Sequence, residues 1–174
     1  MKTTFNRTFT RLIAIAALAL ATLLPAQQAA AQNVGDFLEN QIVDVLLRGQ
    51  STGFGANVYV GLSTAACSDS SVGTEVSGGS YARVSVARSL AAWAGTQSAG
   101  STSASSGTGG QTSNNATITF PTPSAGWGTV THFFIADASS GNNIVICQSL
   151  TTSKTINSGD TVTFPAGTLT ITFN

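Results

Sequence analysis

After residue 50 the apolar side chains recur at every second position, and this alternation constrains the fold more than any other feature of the chain. In "NVYVGLS" (57–63), Val58, Val60 and Leu62 alternate with Tyr59 and Gly61. In "SYARVSVAR" (80–88), Ala82, Val84 and Val86 fall on one parity and Tyr81, Arg83, Ser85 and Ala87 on the other. Ala116, Ile118 and Phe120 repeat the pattern, as do "VTHFFIAD", "NIVICQSL", "DTVTFPAG" and "TLTITFN". Successive side chains of a strand point to opposite faces, so runs of this kind predict half-buried strands. Threonine fills many of the intervening positions, where a β-branched hydroxyl suits a wet face. "ASSGNN", "NSGD" and "PAG" separate the runs with turn residues. The expectation for residues 51–174 is therefore an all-β domain, an antiparallel, jelly-roll-like β-sandwich of about seven strands.

The segment before it has a different period. In "NVGDFLENQIVDVLLRGQ", Val34, Phe37, Leu38, Ile42, Val45 and Leu46 recur at steps of three and four, which predicts one short amphipathic helix within 32–50. Asn33 is a candidate cap, Asp36 and Glu39 suit the positive end of the helix dipole, Arg48 suits the negative end, and Gly49 can stop the helix. So short a helix needs its apolar stripe covered, either by its own domain or by a neighbouring subunit.

Residues 1–31 read as an export signal. Lys2, Arg7 and Arg11 precede an apolar run from Leu12 to Leu24, Pro25 breaks it, and Ala29–Ala31 offer a cleavage site before Gln32. Thirteen residues fall short of the ~20 that span a bilayer, so no membrane span is expected after cleavage. All seven acidic residues but only four basic ones follow residue 31, leaving a net charge of −3. That balance argues against a nucleic-acid partner. In an oxidising compartment, Cys67 and Cys147 are a candidate disulfide.

Catalytic patterns are missing. His132 and Asp137 lie five residues apart in one predicted strand, and their opposite parity points them to opposite faces. Alternation groups His132 with Val130, Phe134 and Ala136. There is no GxSxG elbow, no HExxH helix and no phosphate loop at the glycine clusters 78–83 and 107–111. Two cysteines and one histidine do not make a convincing zinc site. No catalytic, cofactor or metal-binding residue is assigned. Trp93, Trp127, Tyr59 and Tyr81 are candidates for ligand or interface contacts, with core packing as the alternative. Residues 95–115, rich in Gly, Ser and Thr and uncharged, predict a flexible loop. "NAT" (115–117) fits the N-glycosylation pattern.

The series "FLENQIVDVLLRG", "VYVGLST", "TEVSGGSYARVSV", "ATITFPTPSAGWGTVTHFFIAD" and "LTTSKTINSGDTVTFPAGTLTITF" resembles small phage tail-fibre and related virion structural proteins, from about residue 34 to the end. The resemblance implies a structural or attachment protein without catalytic residues, partnered by copies of itself or other structural subunits. A secreted glycan-binding module is the alternative, with a cell-surface glycan as ligand. Three features depart from the family pattern: the signal-like N-terminus, the two cysteines, and a longer Ser/Gly loop. Together they suggest a phage-derived module exported to the periplasm, cell surface or medium.

Overall fold

A computed structural model describes residues 34–96, 98, 100–106, 110–141 and 143–173. The expected signal segment lies outside the described residues. Among the described residues, no helix is long and apolar enough to cross a membrane.

Among the described residues, one helix, α1 (Asp36–Leu47), precedes eight strands: β1 (Asn57–Ser63), β2 (Val84–Ala87), β3 (Gln111–Ser113), β4 (Ile118–Thr119), β5 (Gly128–Ala136), β6 (Ile144–Ile156), β7 (Thr163–Phe164) and β8 (Thr170–Thr172). The all-β character with a single helix agrees with the sequence pattern. Hydrogen bonding does not join the strands into one jelly-roll sandwich, however. They form a four-stranded antiparallel sheet, β2-β1-β5-β6, and two separate two-stranded ribbons, β3-β8 and β4-β7. The ribbon strands are only two or three residues long. Pro121 and Pro165 follow the β4 and β7 runs closely, and proline cannot donate to a ladder.

The main core joins the sheet to the ribbons. Val58, Val60, Leu62, Val130, Phe133, Ile135 and Ile146 of the sheet pack in one cluster with Ile118, Phe120, Leu169 and Ile171 of the ribbon segments. A smaller cluster of Phe134, Ala136, Ile144 and Val72 lies against Cys67 and Cys147. The β5–β6 ladder has irregularities between Val130 and His132 and between Ile135 and Ala136. An inserted residue reverses the facing of the side chains beyond it. Val130 therefore packs with Phe133 and Ile135, not with His132 as regular alternation implies.

The two ribbons are tied together by Asn114, within the stretch expected to be a flexible loop. Its amide Nδ2 donates to the carbonyls of Ala116, Phe164 and Pro165 at 2.8–3.2 Å, and its Oδ1 accepts from the Leu169 N–H at 2.9 Å. The loop boundary therefore moves: residues 111–113 are strand β3, and Asn114 is almost completely buried. Burying an amide is tolerable because both ends find partners.

Candidate functional site

The histidine and the aspartate of β5 do not form a site. Thr131 Oγ1 lies 2.8 Å from His132 Nδ1, and Asp137 accepts from Asn143 Nδ2 at 3.0 Å. Five residues of extended chain separate the two side chains by about 16 Å. General-base work needs direct hydrogen-bond contact. Among the described residues no group of three or more His, Cys, Asp or Glu side chains could hold a metal ion.

The polar side chains that do converge come from the "TEVSGGSYAR" stretch, and they make a lock rather than a reactive centre. Gly78, Gly79 and Ser80 all have positive φ, at 70°, 52° and 64°. Glycine adopts this region at little cost, which explains the paired glycines. The turn brings Tyr81 back over the main core, so its ring joins the cluster instead of pointing away with the solvent-facing parity. The Leu62 N–H donates to Tyr81 Oη at 2.9 Å, and that hydroxyl donates to Glu75 Oε1 at 3.1 Å. Burial pushes the Tyr81 phenol well above its ordinary pKa, with the neighbouring Glu75 charge adding to the rise. The hydroxyl thus remains protonated and able to donate. Arg83 grips both oxygens of Glu75 from Nε and Nη2, each at 2.7 Å. It also donates to the carbonyls of Ala138 and Gly141 at 2.9 and 2.7 Å, and its guanidinium lies 4.8 Å above the Phe134 ring. A planar fork suits such bidentate, stacked contacts.

The candidate aromatics are placed differently from one another. Trp127 is 5% exposed, donates from Nε1 to the Gly79 carbonyl at 2.9 Å, and meets Tyr81 and Phe120 edge-on at 5.3 and 6.4 Å. Tyr81 and Trp127 are thus brought together, inside the core. Trp93 stands apart. It is half-buried, bridges Asn114 through the backbone, and lines an open cleft of about 510 Å³ with Arg88, Leu90 and Ile171. Tyr59 is half-buried on β1, on the opposite parity from Val58 and Val60. Asn115, the acceptor of the glycosylation pattern, uses its Nδ2 to reach the carbonyls of Leu90 and Ser101.

Helix α1 carries four of the exposed large apolar side chains among the described residues, Ile42, Val43, Leu46 and Leu47. Its Ncap position is Gly35, without a side-chain cap, and Gly49 ends it with φ 66°. Arg48 pairs with Asp44 one turn back at 2.6 Å. The expected stripe divides. Val34 lies before the helix, buried and bridged to Ile146. Phe37, Leu38 and Val45 are half-buried, and α1 packs against β6. Ile42 and Leu46 face solvent together with Val43 and Leu47, and Leu46 and Leu47 are 73% and 81% exposed. The helix is apolar on two sides, and its own domain covers only one.

Cys67 and Cys147 are joined in a disulfide, with Cα atoms 6.2 Å apart. The loop it closes spans 80 residues, worth about 4–5 kcal/mol in the chain-entropy account.

No curated protein matches the chain. Residues 33–172 match the family described as Podophage GP4 fiber I protein gp80. The match covers the helix, the sheet and both ribbons, so it concerns the whole described fold. The chain belongs to this phage fibre family, and its role is that of a non-catalytic structural or attachment protein of tail-fibre type.

Proposed function

We propose that the protein acts by self-association through the uncovered face of α1. The observation that carries this reading is the run Ile42, Val43, Leu46 and Leu47, exposed on a helix whose opposite side already rests on β6. Isolated exposed leucines are ordinary, but a contiguous apolar face on one helix marks an interaction surface. Arg48 is already paired with Asp44 of its own helix, so the association rests on this apolar face rather than on charge. The ribbons and sheet then form a two-layered β body carried by a helical junction.

Leu46→Glu combined with Leu47→Glu is expected to convert the assembled species to monomer while leaving the fold intact. Light scattering coupled to size-exclusion chromatography reads the mass, and far-UV circular dichroism reads the fold. A wild-type protein that is monomeric at high concentration, or a double variant of unchanged assembled mass, defeats the reading.

The same proposal includes export. A disulfide joins the two cysteines, as suits an oxidising compartment, and residues 1–31 have the pattern of a cleaved signal. Expression of the full chain in a bacterium is expected to yield a periplasmic or secreted form whose N-terminal sequence begins at Gln32. Recovery from the cytoplasm with Met1 or Lys2 at the N-terminus refutes export.

A further inference from the structure

The start of α1 is held in a slot with two walls. The Gly35 N–H donates to the Val145 carbonyl and the Asp36 N–H to the Asp69 carbonyl, both at 3.1 Å. One wall is therefore β6 at residues 144–146, and the other is the turn at 68–71, closed by reciprocal bonds between Ser68 and Ser71. Val34 adds an antiparallel bridge to Ile146. The slot is narrow: a Cβ on Gly35 would overlap the Ile144 carbonyl oxygen and stand 3.1 Å from that of Asp69. Only glycine passes between the walls.

Cys147 directly follows the first wall and Cys67 directly precedes the second, so the disulfide cross-links the two walls beside the slot. The loop carrying the turn is otherwise held at its base, where the Thr64 N–H and Ser63 Oγ both donate to the Thr74 carbonyl at 2.9 Å. Val72 is buried in the small cluster with Phe134, Ala136 and Ile144, while residues 68–71 are largely exposed. Both cysteines are half-buried and line an opening of about 390 Å³ with His132, Gln148 and Ser149. A small dithiol can reach the bond through that opening.

We propose that the Cys67–Cys147 disulfide is a redox latch for α1, docking the helix start while the pair is oxidised and releasing it on reduction. The chemistry is thiol–disulfide exchange with a dithiol. A reagent thiolate attacks one cysteine sulfur, the protein S–S bond breaks, and the departing cysteine thiolate takes up a proton. The second reagent thiol then displaces the other cysteine and closes the reagent's own disulfide. Two electrons and two protons pass to the protein, and the reagent is oxidised. Once the walls are uncoupled, the turn at 68–71 can move from β6, and the Asp36–Asp69 hydrogen bond is lost with it. Farther along, the Gly53 N–H donates to Gln41 Oε1, which retains the middle of the helix, while at its start Phe37 keeps an edge-on contact with Phe54 at 5.2 Å. Release is therefore greatest at residues 34–40. The latch concerns docking of α1 on its own domain and does not depend on whether a second copy covers the outer face.

The test is amide hydrogen exchange followed by mass spectrometry, at concentrations where the protein is monomeric, with and without dithiothreitol. Titration of two thiols per chain confirms reduction. The expected result is exchange at least tenfold faster in peptides covering 34–40 and 64–74, with the β1 and β5 peptides unchanged. The Cys67→Ser/Cys147→Ser variant should show the fast pattern without reductant and no response to it. Unchanged protection at 34–40 after full reduction overturns the latch. So does a parallel loss of protection across β1 and β5, which would make the disulfide a global brace.

Discussion

Replacing Phe134 by alanine is expected to lower the unfolding free energy by about 3–5 kcal/mol, the range for truncating a buried aromatic. Phe134 is fully buried at the centre of the smaller cluster, under the Arg83 guanidinium. Its ring lies across from Gly61, its partner in the β1–β5 ladder, and occupies the space where a side chain at 61 would stand. Glycine in a strand interior often marks such a close approach. Gly61→Ala alone should therefore also destabilise, because the new methyl meets the ring. In a Phe134→Ala background the same substitution should cost little, since its obstacle is gone. Urea denaturation of the two single variants and the double variant measures the coupling. Strictly additive losses, or a Phe134→Ala loss below ~1 kcal/mol, would show that the ring does not fill this space.

Arg83→Met is expected to cost about 3 kcal/mol, the lower end of the range for breaking a buried ion pair. Methionine retains most of the apolar stem but none of the donors. Glu75 loses its bidentate partner, and the carbonyls of Ala138 and Gly141 lose theirs. The lower end applies because the Arg83 side chain is 2% exposed but that of Glu75 is 25% exposed, so water can reach the abandoned carboxylate. Adding Glu75→Gln should recover part of the loss by removing the unpaired charge. The shift of the urea midpoint in the single and double variants checks both statements. A double variant less stable than Arg83→Met would mean that the Tyr81 hydroxyl, which also donates to Glu75, holds the charge without the arginine.

The turn chemistry of 78–80 explains how this lock arises from sequence. Three successive left-handed residues reverse the chain and set Tyr81 inward, while Arg83 reaches residues 138 and 141, more than fifty positions away. Strict alternation through "SYARVSVAR" cannot represent that turn, and the observed strand begins only at Val84. The same limit applies at β5, where one irregularity after Val130 exchanges the faces. Asn114 was hidden for another reason. It sits at the end of a Gly/Ser-rich stretch, and its partners at 164, 165 and 169 come from the far end of the chain.

Local pattern alone determined the all-β class, the place of helix α1, the Gly49 stop and the candidate pairing of the cysteines. These depend on backbone periodicity and near neighbours, which a linear sequence states directly. Only the tertiary structure decided that the strands divide into one sheet and two ribbons, that Tyr81 and Trp127 lie together in the core, and that Ile42 and Leu46 of the α1 stripe remain uncovered. Those outcomes depend on which distant surfaces meet, and a side chain's parity says nothing of what lies opposite it.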